Sequence, residues 1–206
     1  MRRVCADYAQ NVRTNVQDIR KGVFMKKVLF VNQKGGSGKT LLADETAFYF
    51  ERLGKTVSFY DLDGQRSAIH ESKRIDDSDY MVIDTPGALQ PKMSDWMAES
   101  DIVVIPTNCS GSDMEPLKTM MEIAAEHAPN KFIVVFNRWN RFNDCAEFIN
   151  WFLVAYPGYK TILMPESVAL GGATIRKTSI LDFKPKHKAA AAMQSFFDLL
   201  SDSLGE

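Results

Sequence analysis

The chain has 206 residues, of which 45% are hydrophobic and 25% are charged, and its formal net charge is −1. This composition is typical of a folded globular domain and excludes a disordered, collagen-like or disulfide-scaffold protein. No apolar run approaches the roughly 18 to 20 residues that cross a bilayer, and the N-terminus lacks the continuous apolar block of a secretory signal. We therefore expect a single cytoplasmic domain without a membrane partner.

Charge is unevenly distributed along the chain. Residues 1–27 hold seven Lys or Arg against two Asp, and residues 171–190 hold five against one. A polyanionic partner would therefore have to contact one of these two basic stretches.

The three cysteines are Cys5, Cys109 and Cys145, and they lie far apart in the sequence. They form no CxxC pair, and no histidine lies at metal-ligand spacing. Neither a disulfide nor a zinc site is expected.

The first 24 residues are polar and end just before Met25, a plausible native start. We expect residues 1–24 to be an extension, and either a disordered tail or an upstream extension of the reading frame is favoured over a helical arm. Residues 25–206 are predicted to form one domain.

From residue 27 onward, short apolar runs alternate with helical patterns. Strands are predicted at residues 28–31, 57–60, 81–83, 102–105, 132–136 and 161–164, and helices over about 42–53, 113–127, 144–155 and 187–204. Strands that alternate with helices indicate βαβ units. The chain is therefore predicted to be an α/β protein of the P-loop NTPase type, with a mostly parallel sheet, helices on both faces and a ligand at the carboxyl ends of the strands.

A glycine-rich loop follows the first predicted strand directly and opens a helix; its residues are Lys34, Gly35, Gly36, Ser37, Gly38, Lys39 and Thr40. Glycines let successive backbone N–H groups turn toward a phosphate, and the helix N-terminus adds the positive end of its dipole. Lys39 would supply a charge to the β- and γ-phosphates, and Thr40 a hydroxyl to Mg²⁺. The loop departs from the Walker A pattern G-x-x-x-x-G-K-[ST] only at its first glycine.

Acidic residues end two of the predicted strands. Asp84 follows the strand at 81–83, and in a P-loop fold a carboxylate in this place lies beside Mg²⁺ and the γ-phosphate. Asp61 and Asp63 follow the second strand, where alternation would put both on one side, facing the nucleotide. For this pair, an ordinary acidic loop is an equally good interpretation.

These segments together resemble the ParA/MinD family of deviant Walker ATPases, closest to the short partition ATPases that lack a helix-turn-helix domain. The resemblance depends on Lys34 five residues before Lys39, on DLDGQ at residues 61–65 and on MVIDTP at residues 81–86. Weaker matches follow at residues 103–107, 137–138 and 164–168. Most of residues 25–180 is covered.

The resemblance implies a homodimer that forms on ATP binding and hydrolyses ATP with Mg²⁺. The implied catalytic residues are Lys34, which reaches the partner's phosphates, Lys39, and Asp63, which orients the attacking water. Thr40, Asp63 and Asp84 are the implied metal-site residues, and Asn137 is the implied adenine-reading residue. The implied nucleotide-binding residues are Lys34, Gly35, Gly36, Ser37, Gly38, Lys39, Thr40, Leu41, Asn137 and Arg138.

Two features depart from the family pattern. Gly64 replaces the usual proline, which would loosen the loop that carries Asp63. Only twenty residues separate Asp63 from Asp84, where most relatives carry additional secondary structure. We expect the surface that normally meets an activating partner to be reduced or moved.

Several branches of the family share this fold, so other sequence features must distinguish them. Metal-cluster relatives need paired cysteines, which are missing here. MinD-like proteins end in a basic amphipathic membrane helix, whereas residues 195–202 are acidic and their Phe/Leu stripe is predicted to be core. Partition ATPases bind nonspecific DNA through basic residues near the C-terminus, and the candidates are Arg176, Lys177, Lys184, Lys186 and Lys188, for which a solvated basic face is the alternative.

The favoured hypothesis is a cytoplasmic, nucleoid-associated partition ATPase. It would bind nonspecific DNA in its ATP state, and a small centromere-binding adaptor protein would stimulate it. Two alternatives stay open: a related ATPase that positions a protein cargo on the nucleoid, and a nucleotide-dependent binding module with negligible turnover.

Overall fold

A computed structural model describes residues 25–63, 67–88 and 90–206. The predictions for residues 1–24 and for Gly64 lie outside the described residues. The strands are β1 (Lys26–Phe30), β2 (Val57–Asp61), β3 (Tyr80–Asp84), β4 (Ile102–Thr107), β5 (Phe132–Trp139) and β6 (Lys160–Pro165). The helices are α1 (Lys39–Arg52), α2 (Met93–Glu99), α3 (Met114–His127), α4 (Asn143–Ala155), α5 (Val168–Ile175), α6 (Ile180–Phe183) and α7 (Lys188–Leu204), and a short 3₁₀ turn (Gly111–Asp113) precedes α3.

The six strands form one parallel sheet in the order β2-β3-β1-β4-β5-β6. In its register Phe30 pairs with Asp84, and Asp84 also pairs with Asp61. The last residues of β1, β2 and β3 therefore lie side by side at one edge of the sheet. The predicted α/β fold with a parallel sheet is confirmed, and the six strands fall where the apolar runs placed them.

Alternate residues of each central strand enter two separate cores. Phe30 and Val104 pack into one core with α1, α5 and α7, whereas Leu29 and Val103 pack into the other with α2, α3 and α4. Because both faces are covered, the buried parts of β1 (residues 28–30) and β4 (residues 102–106) are continuous apolar runs. The prediction of helices on both faces is confirmed.

The C-terminal helix α7 packs its aromatic stripe inward. Phe196, Phe197 and Leu200 are fully buried, and the ring of Phe197 stacks on Tyr49 of α1 at a centroid distance of 4.2 Å. Truncating a buried Phe to Ala costs about 3–5 kcal/mol. The stripe therefore stabilises the fold, as predicted.

The sequence did not predict α2, α5 or α6, because helices this short show too few turns for their periodicity to be recognised. Two polar contacts to α1 hold the start of helix α6. Ser179 donates its hydroxyl to Glu45 Oε2 at 2.7 Å, and the Ile180 N–H donates to Glu45 Oε1 at 2.8 Å. Burial raises the pKa of Glu45, and the two donors partly offset that effect. Glu45 thus fixes α6 against α1.

Two cysteines that are distant in sequence are neighbours in the fold. Cys109 follows β4 and Cys145 lies in the first turn of α4, and both are free thiols. Burial, followed by the adjacent thiol of Cys145, raises the pKa of Cys109. The separation of these two residues along the chain was therefore a poor guide to their separation in space.

Candidate nucleotide-binding site

The glycine-rich loop joins the carboxyl end of β1 to the N-terminus of α1. Gly38 adopts φ 100°, and a Cβ there would lie 2.1 Å from Asn137 Nδ2. Glycine is therefore required at position 38 for both conformation and space. Helix α1 begins without a side-chain cap and without an acidic residue in its first turn. Its first N–H groups and its positive dipole end are left for an anion.

Asn137 contacts this loop from the end of β5. Its Nδ2 donates to the Ser37 carbonyl at 2.9 Å, and its Oδ1 accepts from the Arg138 N–H at 2.9 Å. The side chain is buried, whereas Arg138 is exposed and adopts φ 54°. Asn137 thus contacts the loop directly, whereas Arg138 contacts Asn137 through its backbone N–H. The adenine-reading role of Asn137 stays a prediction.

Lys39 is the first residue of α1 and is 5% exposed. Its Nζ lies 3.4 Å from the Lys34 carbonyl. Burial lowers the pKa of Lys39, although the charges of Asp84 and Asp63 act in the opposite direction. A buried ammonium group gains stability from an anion at the same place, so the loop can hold a phosphate.

Asp84 ends β3 and faces Thr40 of α1. The Thr40 hydroxyl donates to Asp84 Oδ2 at 2.6 Å, while Asp84 Oδ1 is buried and lacks a hydrogen-bond partner among the described residues. Burial, with a contribution from the charge of Asp61, raises the pKa of Asp84 to about 7. An unpartnered carboxylate oxygen beside a hydroxyl fits Mg²⁺, which prefers oxygen ligands.

No group of three or more His, Cys, Asp and Glu residues in the described part of the chain is arranged to hold a metal. A magnesium ion beside Thr40 and Asp84 would therefore take its remaining ligands from phosphate oxygens and water, as is usual for Mg²⁺.

Asp61 is paired with Asp84 in the sheet, and Asp63 follows Asp61 two residues later. Strand β2 ends at Asp61, and the Asp63 N–H donates to Asp61 Oδ1 at 2.9 Å. Asp63 thus lies beyond the strand, so a turn and not strand alternation directs it. The charge of Asp63 acts on Lys39, and that of Asp61 acts on Asp84. Both acids therefore stand near the predicted phosphate site.

Lys34 is held within its own subunit. Its Nζ donates to Ser112 Oγ at 2.7 Å and forms an ion pair of 2.8 Å with Asp113 Oδ1. Asp113 is only 1% exposed, and the Lys34 N–H donates to Asn32 Oδ1 at 2.9 Å. Ser112 and Asp113 were not predicted from the sequence. The available signal was their place just after β4, which pairs with β1.

The five basic residues near the C-terminus are all exposed, and none of them forms a salt bridge with another described residue. The guanidinium carbon of Arg176 lies 4.5 Å from the Phe183 ring centroid, and Lys184 Nζ lies 5.2 Å from it. One aromatic ring thus holds two of the five cations together. We call Arg176, Lys177, Lys184, Lys186 and Lys188 the basic surface.

A parallel α/β sheet with a glycine loop, a buried lysine and a strand-end carboxylate defines a P-loop nucleotide-binding protein. Residues 28–180 match the family described as the CobQ/CobB/MinD/ParA nucleotide binding domain. The match covers well over half of the chain, so the chain belongs to this family. The predicted ParA/MinD resemblance is confirmed.

Three solved structures with the same fold have sequence identities of 14–17% to this chain. An ATP complex of a McdA variant from Cyanothece is 17% identical, with a TM-score of 0.71, and covers 89% of this chain and 98% of its own. MinD from Pyrococcus horikoshii with Mg-ADP is 14% identical, with a TM-score of 0.65, covering 87% and 99%. A putative plasmid partition protein from Borrelia burgdorferi bound to AMPPNP is 14% identical, with a TM-score of 0.62, covering 85% and 99%.

At this level of identity these structures establish a shared fold. No curated protein matches the chain in sequence. Within the described ranges, no helix is both long and apolar enough to span a membrane.

Proposed function

We propose that this chain is a partition ATPase that binds ATP with Mg²⁺ and dimerises in the ATP state. The dimer binds nonspecific DNA and is stimulated by a small centromere-binding adaptor on the DNA, so the protein associates with the nucleoid. The observation that carries the ATPase part is the grouping of Lys39, Thr40, Asp63 and Asp84 around one glycine loop.

Lys34 supports the dimer. Its side chain is 30% exposed, and Ser112 and Asp113 hold its Nζ in its own subunit. A second subunit that faces this loop would bring its phosphates within reach of Lys34, which acts there as an arginine finger acts in other phosphoryl-transfer enzymes. Dimerisation would replace the ion pair with Asp113 by a contact to phosphate.

The basic surface supports DNA binding. Its five side chains are exposed and lack salt-bridge partners in the described structure, so each is available to a DNA phosphate, which would release a counterion. A dimer presents two such surfaces to one duplex. The second contact is then intramolecular, and DNA affinity depends on the ATP state.

The test measures DNA binding by gel shift on unrelated duplexes, with ATP and with ADP, across a salt series. We expect DNA binding with ATP but not with ADP. Affinity should depend little on the DNA sequence and should fall steeply as the salt concentration rises. The triple variant Lys184→Glu, Lys186→Glu, Lys188→Glu should lose binding while it retains ATP-dependent dimerisation. The matched control Lys55→Glu, Lys92→Glu, Lys131→Glu changes the net charge equally, at residues outside the basic surface, and should keep DNA binding.

Binding that survives the triple reversal would remove the basic surface from the proposal, and binding that is missing with ATP at low salt would remove its DNA part. An ATPase that positions a protein cargo would then be favoured. Absence of phosphate release with and without DNA would instead favour a nucleotide-dependent binding module.

A further inference from the structure

Residues 67–74, which follow the loop of Asp63, include no fully buried residue. This return segment runs antiparallel to the edge strand β2, where Phe59 and Lys73 exchange backbone hydrogen bonds of 3.0 and 2.9 Å. The Asp61 N–H donates to Ser72 Oγ at 2.9 Å. Because little apolar surface is buried here, polar contacts must fix the position of the segment.

The strongest of these contacts converge on one side chain of α1. Asp44 lies one turn after Thr40 and is 1% exposed. Its Oδ2 accepts the Ile69 N–H at 2.8 Å. Its Oδ1 accepts the His70 N–H at 2.9 Å and the His70 ring Nδ1–H at 2.8 Å. A buried carboxylate that accepts three N–H donors is a well-satisfied anchor.

The ring of His70 is itself fixed in place. Its centroid lies 4.3 Å from that of Phe48 and 5.2 Å from that of Phe59, and its Nε2 lies 3.5 Å from Glu51 Oε2. Burial alone would lower the pKa of His70, but Asp44 and Glu51 outweigh that effect and raise it. The bond from His70 to Asp44 has a carboxylate as its acceptor, so it is charge-assisted and stronger than a bond between two neutral groups.

We propose that Asp44 is a positioning residue for ATP hydrolysis. It fixes the return segment to the helix that carries Lys39 and Thr40, and so sets the place of Asp63 relative to the phosphates. The anchor acts on the chain that follows Asp63, whereas Asp61 fixes the chain that precedes it. This inference rests on the proposed hydrolysis of ATP.

The test compares Asp44→Asn with the adjacent variant Glu45→Gln. Both replace a buried carboxylate of α1 by its amide, but Glu45 contacts Ser179 and Ile180 instead of the return segment. Asp44→Asn places an N–H₂ group against N–H donors, so we expect kcat for ATP hydrolysis to fall about 10-fold or more while KM changes less than about 3-fold. Glu45→Gln should leave both close to wild type.

Amide hydrogen exchange gives a second readout, independent of turnover. Exchange at Ile69 and His70 should accelerate in Asp44→Asn and stay unchanged in Glu45→Gln. The variant His70→Phe removes only the ring contact and keeps both backbone donors, so its loss of kcat should be smaller. This variant also tests the contact from the return segment if Asp44→Asn does not fold.

A folded Asp44→Asn protein with wild-type kcat would overturn the inference, as would a lower kcat without faster exchange at Ile69 and His70. A loss of kcat in His70→Phe equal to that in Asp44→Asn would also overturn the inference, because the backbone N–H groups of Ile69 and His70 would then contribute nothing to the position of the segment. A wild-type protein that binds ATP without any turnover would refute the proposed function itself, and the exchange data would still decide whether Asp44 anchors the segment.

Discussion

Lysines serve the phosphate site and the basic surface in different physical ways. Lys39 is 5% exposed and lies among carboxylates whose charges act on it, and Lys34 is held by Ser112 and Asp113. The lysines at 184, 186 and 188 are exposed and form no salt bridge within the described part of the chain. The phosphate site therefore depends on geometry and single side chains, whereas the basic surface depends on summed charge.

The largest expected effect is loss of nucleotide binding in Lys39→Ala. The substitution removes the buried cation of the glycine loop, and loss of one partner from a buried charge pair costs about 3–5 kcal/mol, which is a loss of affinity of roughly 100-fold to several thousand-fold. Calorimetry with ATP and Mg²⁺ measures it, and the exposed Lys55→Ala is the control. Wild-type affinity in a folded Lys39→Ala protein would contradict the assignment of the phosphate site.

The second prediction concerns the burial of Asp84 and its effect on the free energy of unfolding. Its pKa of about 7 lies above the ordinary value of 3.8, so the folded protein holds more protons than the unfolded chain between these values. The free energy of unfolding without nucleotide should therefore fall as pH rises from about 4 to about 7. Asp84→Asn should be more stable than wild type above pH 7, by up to about 4 kcal/mol, and similar to it below pH 4.

Denaturant unfolding at several pH values measures this difference. Asp79→Asn, at the opposite end of β3, is the control, because hydrogen bonds from Thr56 lower the pKa of Asp79 instead of raising it. A stability gain at pH 8 in both variants, or in neither, would mean that burial of Asp84 does not cost stability.

The third prediction separates the two catalytic roles by oligomeric state. Lys34→Ala should bind ATP but stay monomeric, because its lysine acts on the partner's phosphates. Asp63→Ala should form a persistent dimer, because it lacks the residue that orients water. Light scattering with ATP measures both, and Lys34→Gln, which can still donate to Asp113, controls for folding. The same state in both variants would show that one role is misassigned.

Single neutralisations on the basic surface should have the smallest effect. Lys186→Gln and Arg176→Gln should each reduce the slope of log affinity against log salt by about one, uniformly across DNA sequences. Fluorescence anisotropy over a salt series measures the slopes. A complete loss of binding from either change would show that this surface depends on single side chains, as the phosphate site does.

The sequence predicted the elements whose signal is local. The strands and the long helices have enough periodic apolar residues to be recognised, and the glycine loop is a contiguous run from Lys34 to Thr40. Short α2, α5 and α6 were missed, because seven, eight and four residues give too few turns. The expectation that Thr40 and Asp84 share one Mg²⁺ site followed from the glycine loop and the strand-end carboxylate, and the structure places Thr40 Oγ1 2.6 Å from Asp84 Oδ2.

Only the tertiary structure decided which distant residues support the site. The sheet order places β4 beside β1, which brings Asp113 to Lys34, and the return segment along β2 brings His70 to Asp44. Each contact joins residues far apart in the chain, and nothing in the local pattern of either partner specifies the other. A phosphate loop can be recognised in a sequence because its donors are consecutive backbone groups. The side chains that support it come together only through the order of the strands, which the sequence does not show.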